Sequence, residues 1–201
     1  MILNIRGTSG SGKTYATRSF KESCGEEIIL RDEGKIIAHM VFYNLVPVYF
    51  VGKYDNVCGG CDTIHTQDEV CNRVRYFSQF GHVIFEGLLI SHSFMRYYSL
   101  FEELKKVGIP SVVARLDTPL DVCLQRIVQR RLEKGNDKEL NTKNTENGYN
   151  GTLHSCEQFE RAGMPVRVIK HKKDPVAQIS SILDEDKGIT LLHNINIVGK
   201  F

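Results

Sequence analysis

The sequence lacks any apolar run that approaches the roughly 20 residues needed for a membrane-spanning helix. It also leaves no room for a secretory signal, because the first strand-like run begins at Met1. We therefore expect a cytoplasmic protein with no membrane partner. In that compartment the six cysteines are expected to be reduced thiols and not a disulfide framework.

The chain has little net charge, with 26 Lys and Arg against 24 Asp and Glu and a formal charge of +2. This balance excludes a global attraction to nucleic acid. Any such binding must depend on local clusters, such as Arg73 with Arg75, or Lys170 with Lys172 and Lys173. The composition, 41% hydrophobic and 25% charged, is that of an ordinary globular protein. Its 201 residues predict a single domain over 1–201.

The most informative stretch is residues 7–14, which fit the phosphate-binding pattern G-x-x-x-x-G-K-[S/T]. Residues 1–5 are predicted to form a strand and residues 15–20 a helix, which is the context that this motif requires. Backbone N–H groups would surround phosphate, Lys13 would reach the β- and γ-phosphates, and Thr14 would bind Mg²⁺. The sequence therefore predicts nucleoside-triphosphate binding. The residues predicted to contact the nucleotide are Gly7, Thr8, Ser9, Gly10, Ser11, Gly12, Lys13 and Thr14.

A second signal is the apolar run over residues 82–86, which reads as a strand ending in Glu86. In P-loop proteins a carboxylate at the end of a buried strand lies beside the metal of the nucleotide. The alternative is an ordinary buried strand whose terminal Glu is solvated. With the phosphate-binding motif upstream, we favour Glu86 as a catalytic residue and as a metal ligand together with Thr14.

Two arginines lie one helical turn apart in residues 121–133, a predicted helix that follows a predicted strand over 111–117. Arg126 and Arg130 would serve as a phosphoryl-transfer lid that holds the triphosphate while its charge shifts. The alternative is a solvated basic face. The residues that follow are polar, so we expect a mobile lid or substrate segment over about 126–151.

Residues 52–63 are predicted to form a loop rich in glycine and aspartate, a composition that permits close approach to a substrate. A kinase also needs a base for the acceptor hydroxyl. Asp62 is the leading candidate and Asp55 the second, while Glu86 stays an alternative. Both aspartates could instead be turn-forming residues. The residues predicted to contact the substrate are Tyr54, Asp55, Gly59, Gly60 and Asp62.

The same region carries thiols at a spacing close to that of small zinc knuckles. Cys58, Cys61, His65 and Cys71 are candidate zinc ligands, although the last two intervals each differ by one from that pattern. Cys71 also has a core position on a predicted helix, where free cysteine is common. We favour a glycine loop with incidental thiols.

The order of the apolar runs predicts an α/β protein with the P-loop NTPase fold, a parallel five-stranded sheet flanked by helices. Three strand-like runs lie close together, so we expect a small antiparallel excursion at about 28–53. Residues 156–162 and 174–184 are predicted helices. Residues 189–198 are apolar enough for an edge strand, but the tail over 187–201 has no predicted place.

Together these motifs resemble those of the nucleoside and nucleotide kinase-like P-loop kinases, over most of residues 1–185. Segment 51–62 is more distinctive and is similar to the phage DNA-modification kinases that phosphorylate the hydroxymethyl group of 5-hydroxymethyluracil in DNA. The resemblance implies ATP and Mg²⁺ as cosubstrate and cofactor. It further implies DNA containing 5-hydroxymethyluracil as the partner, and action in the host cytoplasm.

The resemblance also assigns positions in this chain. Lys13 and Thr14 are implied to hold phosphate and metal, Arg126 and Arg130 to lie on the lid side, and residues 59–62 to lie on the acceptor side. The runner-up is a kinase of a free nucleoside or nucleoside monophosphate. A third alternative is a module that binds ATP without catalysis, and the presence of Lys13, Thr14, Glu86 and the arginine pair argues against it.

Overall fold

The computed structural model describes residues 1–55 and 59–185, in which the strands form one mixed sheet of seven. The strands are β1 (Ile2–Arg6), β2 (Ile28–Asp32), β3 (Lys35–Tyr43), β4 (Val46–Val51), β5 (His82–Glu86), β6 (Ser111–Leu116) and β7 (Val166–Ile169). Across the sheet they are ordered β2-β3-β4-β5-β1-β6-β7. Strand β1 lies between β5 and β6 and is buried along its whole length, which explains its continuous apolar run.

Helices cover both faces of this sheet. They are α1 (Lys13–Ser23), α2 (Gln67–Phe77), α3 (Leu88–His92), α4 (Met95–Lys106), α5 (Leu120–Glu133), α6 (Lys143–Arg161) and α7 (Pro175–Asp184), with a 3-10 turn at Cys61–Thr63. One hydrophobic cluster contains side chains of α2, α4 and α6, and the other contains side chains of α1 and α7. The result is a three-layer α/β/α arrangement, so the predicted α/β class is confirmed.

The sheet is larger and less uniform than the sequence predicted. Strands β4, β5, β1, β6 and β7 run parallel, whereas β3 pairs antiparallel with β4 and β2 antiparallel with β3. The prediction of a purely parallel five-stranded sheet with a separate excursion at 28–53 is therefore corrected. The reason is continuous pairing, because β3 and β4 pair from Ala38 and Val51 through to Tyr43 and Val46. The hairpin thus extends the main sheet.

Two helices begin at residues that satisfy their free N–H groups. Thr66 precedes α2, and its side chain accepts a hydrogen bond from the Glu69 N–H at 3.1 Å. Asp174 precedes α7 and accepts from the Val176 N–H at 3.0 Å, with Pro175 as the first helical residue. The helix predicted over 174–184 is therefore confirmed.

The helix α6 begins at Lys143, although the sequence predicted an irregular segment there and a helix only from residue 156. Its first half buries Thr145, Gly148 and Thr152, which are small or polar. Such residues produce no apolar periodicity, so the hydrophobic pattern did not reveal the helix. The mobility of the lid segment at about 126–151 stays a prediction.

No helix in the two described ranges is long and apolar enough to cross a membrane. The tail over 187–201, with its proposed edge strand at 189–198, lies outside the described residues. Cys58 also lies outside them.

Arg6, the last residue of β1, carries a guanidinium that is fully buried. Its Nε donates to Asn4 Oδ1 at 2.6 Å, its Nη2 to the Ser93 carbonyl at 3.0 Å, and its Nη1 to Ser155 Oγ. The guanidinium carbon lies 4.5 Å from the centre of the Phe159 ring. Burial lowers the pKa of Arg6 to about 10, so the group stays charged at pH 7. These contacts tie β1 to the start of α4 and to α6.

We expect Arg6→Lys to lower the free energy of unfolding by about 2–4 kcal/mol, because an ammonium group leaves several buried acceptors without a donor. Urea unfolding measures this change. The matched control is Arg161→Lys on the exposed part of α6, where only a pair with Glu157 is altered. That control should change stability by less than about 0.5 kcal/mol. Equal stability of the two variants would contradict a structural role for the Arg6 guanidinium.

Candidate active site

The candidate site lies at the carboxyl-terminal edge of the parallel strands. The phosphate-binding motif follows β1, the predicted acceptor loop follows β4, and Glu86 is the last residue of β5. Open α/β sheets bind ligands at this edge, since loops and helix N-termini meet there. The order of the strands in the sheet therefore brings together motifs that lie far apart in the sequence.

The loop between β1 and α1 is tight and depends on glycine. Gly10 and Gly12 have φ angles of 78° and 97°, in the left-handed region that favours glycine. Gly10 lies against the Cys123 carbonyl of α5, where a side chain would overlap the backbone. A side chain at Gly7 would likewise overlap Ser11 Oγ. Glycine at these positions therefore lets the loop pack closely against α5 and against its own Ser11 side chain.

Lys13 is the first residue of α1 and is buried. Its Nζ donates to the Gly7 carbonyl at 2.7 Å and to the Thr8 carbonyl at 3.2 Å. Burial lowers the pKa of Lys13, and the negative charges of Glu86 and Asp62 oppose that effect. The ammonium group is thus held inside the loop and faces two carboxylates.

Thr14 and Glu86, the two predicted metal ligands, are direct neighbours. Thr14 Oγ1 donates to Glu86 Oε1 at 2.8 Å. Glu86 is only 1% exposed, and burial raises the pKa of its carboxyl to about 7, partly offset by Lys13 and by the Thr14 hydrogen bond. Binding of a cation between these oxygens would favour the ionised carboxylate.

Of the two predicted arginines of α5, Arg126 contacts the phosphate-binding motif. Arg126 Nη1 donates to the carbonyls of Gly10 and Ser11, each at 3.3 Å. Arg130 is half-buried, and its positive charge contributes to lowering the pKa of Lys13. Lys13 and Arg126 therefore supply two cations around one loop.

The predicted acceptor loop packs directly against Thr14 and Glu86. Gly60 has a φ of 68°, and a Cβ atom there would lie 2.7 Å from Glu86 Oε1. A Cβ at Gly59 would lie 3.2 Å from Thr14 Cγ2. The two glycines therefore permit this close approach of the backbone. At position 60, any other residue would displace the Glu86 carboxylate.

Asp62 is exposed and is fixed by α3. Its Oδ1 accepts a hydrogen bond from the Leu88 N–H at 2.8 Å. Its charge acts on both Lys13 and Glu86, which places the carboxylate within electrostatic range of the cluster. One of its oxygens therefore already has a structural partner.

Two of the predicted substrate residues have different surroundings. Tyr54 is 4% exposed and packs edge-on against Phe50 and His39 in the core. In this conformation its ring is not available to stack on a base, and apolar packing accounts for its position. Asp55 is exposed and precedes residues 56–58, which lie outside the described part of the chain. Its role as an alternative base stays a prediction.

The zinc hypothesis finds no support in the described residues. Cys61 and Cys71 are both buried, and burial raises the pKa of each thiol, which disfavours the thiolate that zinc requires. Cys61 Sγ donates to the Val51 carbonyl at 3.5 Å. Over residues 1–55 and 59–185, no group of three or more His, Cys, Asp or Glu is arranged to hold a metal ion.

The residues at the site fit a bound triphosphate and a divalent cation. Ser11 Oγ is buried in the loop and has no hydrogen-bond partner among the described residues. Thr14 and Glu86 offer adjacent oxygen ligands of the kind that Mg²⁺ prefers. Lys13 and Arg126 supply the positive charge that phosphate oxygens require.

Three side chains that the sequence did not single out complete the site. Thr118 Oγ1 donates to the Ser11 carbonyl at 2.7 Å, and Ser91 Oγ accepts from the Gly7 N–H at 3.2 Å. His92, the last residue of α3, packs against α6. The sequence does give a signal for Thr118, because the residue lies at the start of a predicted helix that follows a predicted parallel strand. Ser91 and His92 had none, because their short helix carries no distinctive pattern.

The raised pKa of Glu86 makes stability depend on pH in the metal-free protein. The pKa is about 7 in the folded chain against an ordinary 4.5. The free energy that the Glu86 carboxyl contributes to stability is therefore fully present below pH 4.5 and is lost as the pH rises through 7. Between about pH 5 and about pH 8, the free energy of unfolding of wild type should fall by on the order of 2 kcal/mol more than that of Glu86→Gln. Urea titrations in EDTA measure the difference, and parallel pH curves would contradict it.

This geometry belongs to a chain with clear relatives. A "5-hmdU DNA kinase" of Pseudomonas phage PaMx11 is 37% identical over 172 residues, covering 82% of this chain and 88% of that protein. A "5-hmdU DNA kinase" of Delftia phage PhiW-14 is 24% identical over 212 residues, covering 99% of this chain and 77% of that protein. No protein-family model matches the chain.

A solved structure from the PezAT chromosomal toxin-antitoxin system of Streptococcus pneumoniae also aligns, with a TM-score of 0.49 and 15% identity over 85% of this chain and 68% of that one. We draw no conclusion from so distant a likeness. The 37% identity to the PaMx11 protein extends over most of both chains, and it confirms the resemblance seen in the sequence motifs. The chain therefore belongs to the family of phage proteins named 5-hmdU DNA kinase.

Proposed function

We propose that this protein transfers the γ-phosphate of ATP to the hydroxymethyl group of 5-hydroxymethyluracil bases in DNA. The observation that carries the proposal is the convergence of Lys13, the Thr14–Glu86 pair and Arg126 with the acceptor loop at one edge of the sheet. The acceptor is suggested by the names of the phage relatives. Their phage origin also supports action in the cytoplasm of an infected host.

The phosphate end of the reaction would be handled by cations and backbone N–H groups. Lys13 would move from its carbonyl partners to phosphate oxygens, because a charge-assisted hydrogen bond to phosphate is stronger than one to a neutral carbonyl. Arg126 and Arg130 would stabilise the negative charge that develops on the leaving phosphate oxygens. Ser11 Oγ would donate the hydrogen bond for which it has no described partner.

The metal end would be formed by Thr14 and Glu86. When bound there, Mg²⁺ supplies charge neutralisation of the phosphate oxygens. The chain contributes a hydroxyl, a buried carboxylate and the exclusion of water by Gly59 and Gly60. Ionisation of Glu86 is needed for this role, so metal binding should release a proton near neutral pH.

The acceptor end would be formed by residues 59–62. Asp62 presents a carboxylate beside the cluster, with Oδ1 held by the Leu88 N–H, and can accept a hydrogen bond from the hydroxyl that receives phosphate. A hydroxymethyl group on a duplex base is reached either from the major groove or after the base is flipped out.

Contacts with the DNA backbone would be local, because the net charge is only +2. Arg75 is engaged by Glu103 through two hydrogen bonds of 2.8 Å, which neutralises that patch. Lys170, Lys172 and Lys173 are exposed after β7, at the same edge of the sheet as the candidate site. They are the better candidates for phosphate contacts.

A phosphate-transfer assay tests the proposed function. Labelled γ-phosphate of ATP, with Mg²⁺, should enter DNA containing 5-hydroxymethyluracil and should not enter plain thymine DNA, the free hydroxymethyl nucleoside or its monophosphate. Lys13→Met should lower kcat/KM for transfer by more than about 100-fold, since it removes a charge that stabilises the transition state. Arg161→Lys serves as a surface control with unchanged transfer.

Transfer of label only to the free nucleoside or to its monophosphate would overturn the DNA acceptor and leave a nucleotide kinase. Binding of ATP without transfer to any of the four acceptors would overturn the kinase assignment for these substrates. Replacement of Mg²⁺ by EDTA should abolish transfer to any acceptor. Retained transfer in EDTA would contradict the proposed role of Thr14 and Glu86.

The close approach of Gly60 to Glu86 gives a second test. Gly60→Ala places a Cβ 2.7 Å from Glu86 Oε1, so we expect the carboxylate to shift and transfer to fall by roughly 10- to 100-fold. Gly25→Ala is the matched control, because Gly25 also has a positive φ, of 94°, but no atom lies within 4 Å of the added Cβ. Equal activity of the two variants would show that the approach has no catalytic consequence.

A further inference from the structure

His92 lies at the rim of the candidate site and has no role in the function proposed above. It is the last residue of α3, the helix that begins two residues after Glu86 and whose first N–H is held by Asp62. Ser91, its neighbour in the chain, accepts a hydrogen bond from the Gly7 N–H of the phosphate-binding motif. The imidazole is thus placed by the same short helix that contacts both the acceptor loop and the phosphate loop.

Two glycines in α6 make room for this imidazole. A Cβ at Gly148 would lie 3.2 Å from His92 Nε2 and 3.1 Å from Thr8 Oγ1, and a Cβ at Gly151 would lie 3.7 Å from the His92 ring. Glycine inside a helix lowers stability by roughly 0.5–1 kcal/mol relative to alanine. Neither residue has the positive φ that would otherwise call for glycine. Close approach of His92 and Thr8 to the helix explains Gly148.

The contact with α6 leaves one ring nitrogen of His92 close to the helix. Nε2 is the ring nitrogen nearest to the Cβ position of Gly148. A neutral imidazole carries its proton on one ring nitrogen and a lone pair on the other, and the nitrogen with the lone pair accepts a proton.

The charges around His92 favour its neutral form. Burial is the largest cause that lowers the pKa of the imidazole, and the positive charges of Lys13 and Arg6 lower it further. The hydrogen bond to Gly148 and the negative charge of Asp62 act in the opposite direction. At pH 7 the ring is therefore neutral, as a group that accepts a proton must be.

We propose that His92 is the general base that takes the proton of the acceptor hydroxyl, an inference that rests on the proposed kinase function. Asp62, the residue favoured from the sequence, already accepts the Leu88 N–H through Oδ1. Its negative charge would instead stabilise the imidazolium that forms on His92. His92 lies at the other end of α3 from the Leu88 N–H, and the Cβ position of Gly148 is close to both His92 and Thr8 of the phosphate-binding motif.

In this step the hydroxyl oxygen forms a bond to the γ-phosphorus, and its proton passes to the ring nitrogen of His92 that carries the lone pair. The bond between the γ-phosphorus and the oxygen that bridges to the β-phosphate breaks, and ADP leaves with that electron pair. The imidazolium then releases its proton to solvent. Lys13 and Arg6 would favour this release, because their positive charges destabilise the imidazolium.

The test is the pH dependence of kcat/KM for hydroxymethyluracil DNA, at saturating ATP and Mg²⁺, from about pH 5.5 to about pH 9. His92→Asn should lower the rate at pH 8 by roughly 100- to 1,000-fold, the range expected for loss of a general base. In a plot of log kcat/KM against pH, the same change should also lower the limiting slope on the acidic side by one, because one fewer group must lose a proton. Asp62→Asn should keep that slope, since asparagine retains an oxygen acceptor for the Leu88 N–H. His154→Asn, at an exposed position of α6, is the matched control with unchanged rate and slope.

A second variant distinguishes loss of the base from misfolding of the protein. His92→Gln should keep the thermal shift produced by ATP and Mg²⁺ while losing transfer. Full activity of His92→Asn, or an unchanged acidic slope in the impaired variant, would overturn the inference and leave His92 as a packing residue. A large loss with Asp62→Asn, together with a normal His92→Asn enzyme, would return the role of base to Asp62. Failure of wild type to label any acceptor would instead overturn the proposed function itself.

Discussion

The buried guanidinium of Arg6 sets the geometry on which the site depends. It stands at the end of β1, immediately before the phosphate-binding motif, and donates to Asn4, to the Ser93 carbonyl and to Ser155. A buried cation is unfavourable unless its donors are satisfied, so the strand, the turn after α3 and the middle of α6 must keep one relative arrangement. The loop over residues 7–14, the end of α3 and α6 are thereby coupled.

Within that arrangement, glycine acts mainly by leaving space. Gly60 lets the acceptor loop contact the Glu86 carboxylate, and Gly148 lets Thr8 and His92 contact α6. The Glu86 carboxyl is buried where the acceptor loop packs against it, and that burial raises its pKa to about 7. A carboxyl in that state exchanges its proton easily for a cation near neutral pH. Close packing therefore also sets the protonation state on which the proposed metal site depends.

Much of the arrangement of the candidate site was predictable because its signals are local. The motif at residues 7–14 specifies a turn and a helix start through its glycines, and Arg126 and Arg130 share one helical face by their spacing. Glu86 ends an apolar strand, and the β1–β5 pairing then places it beside Thr14. Tyr54 could not be judged in this way. An aromatic residue in a glycine-rich loop suits a substrate surface or a core equally well, and its packing against Phe50 decided the matter.

The sequence by itself determined the α/β class, the glycine-rich loop between β1 and α1, and the family, because each depends on residues close together in the chain. Only the tertiary structure decided that β2 and β3 extend the main sheet, since strand pairing joins residues whose patterns look the same in a separate hairpin. It also decided that α6 begins at Lys143, through burial of small residues that carry no hydrophobic period. The contact of His92 with α6 was decided in the same way, because its neighbours there are distant in sequence and meet it only through packing.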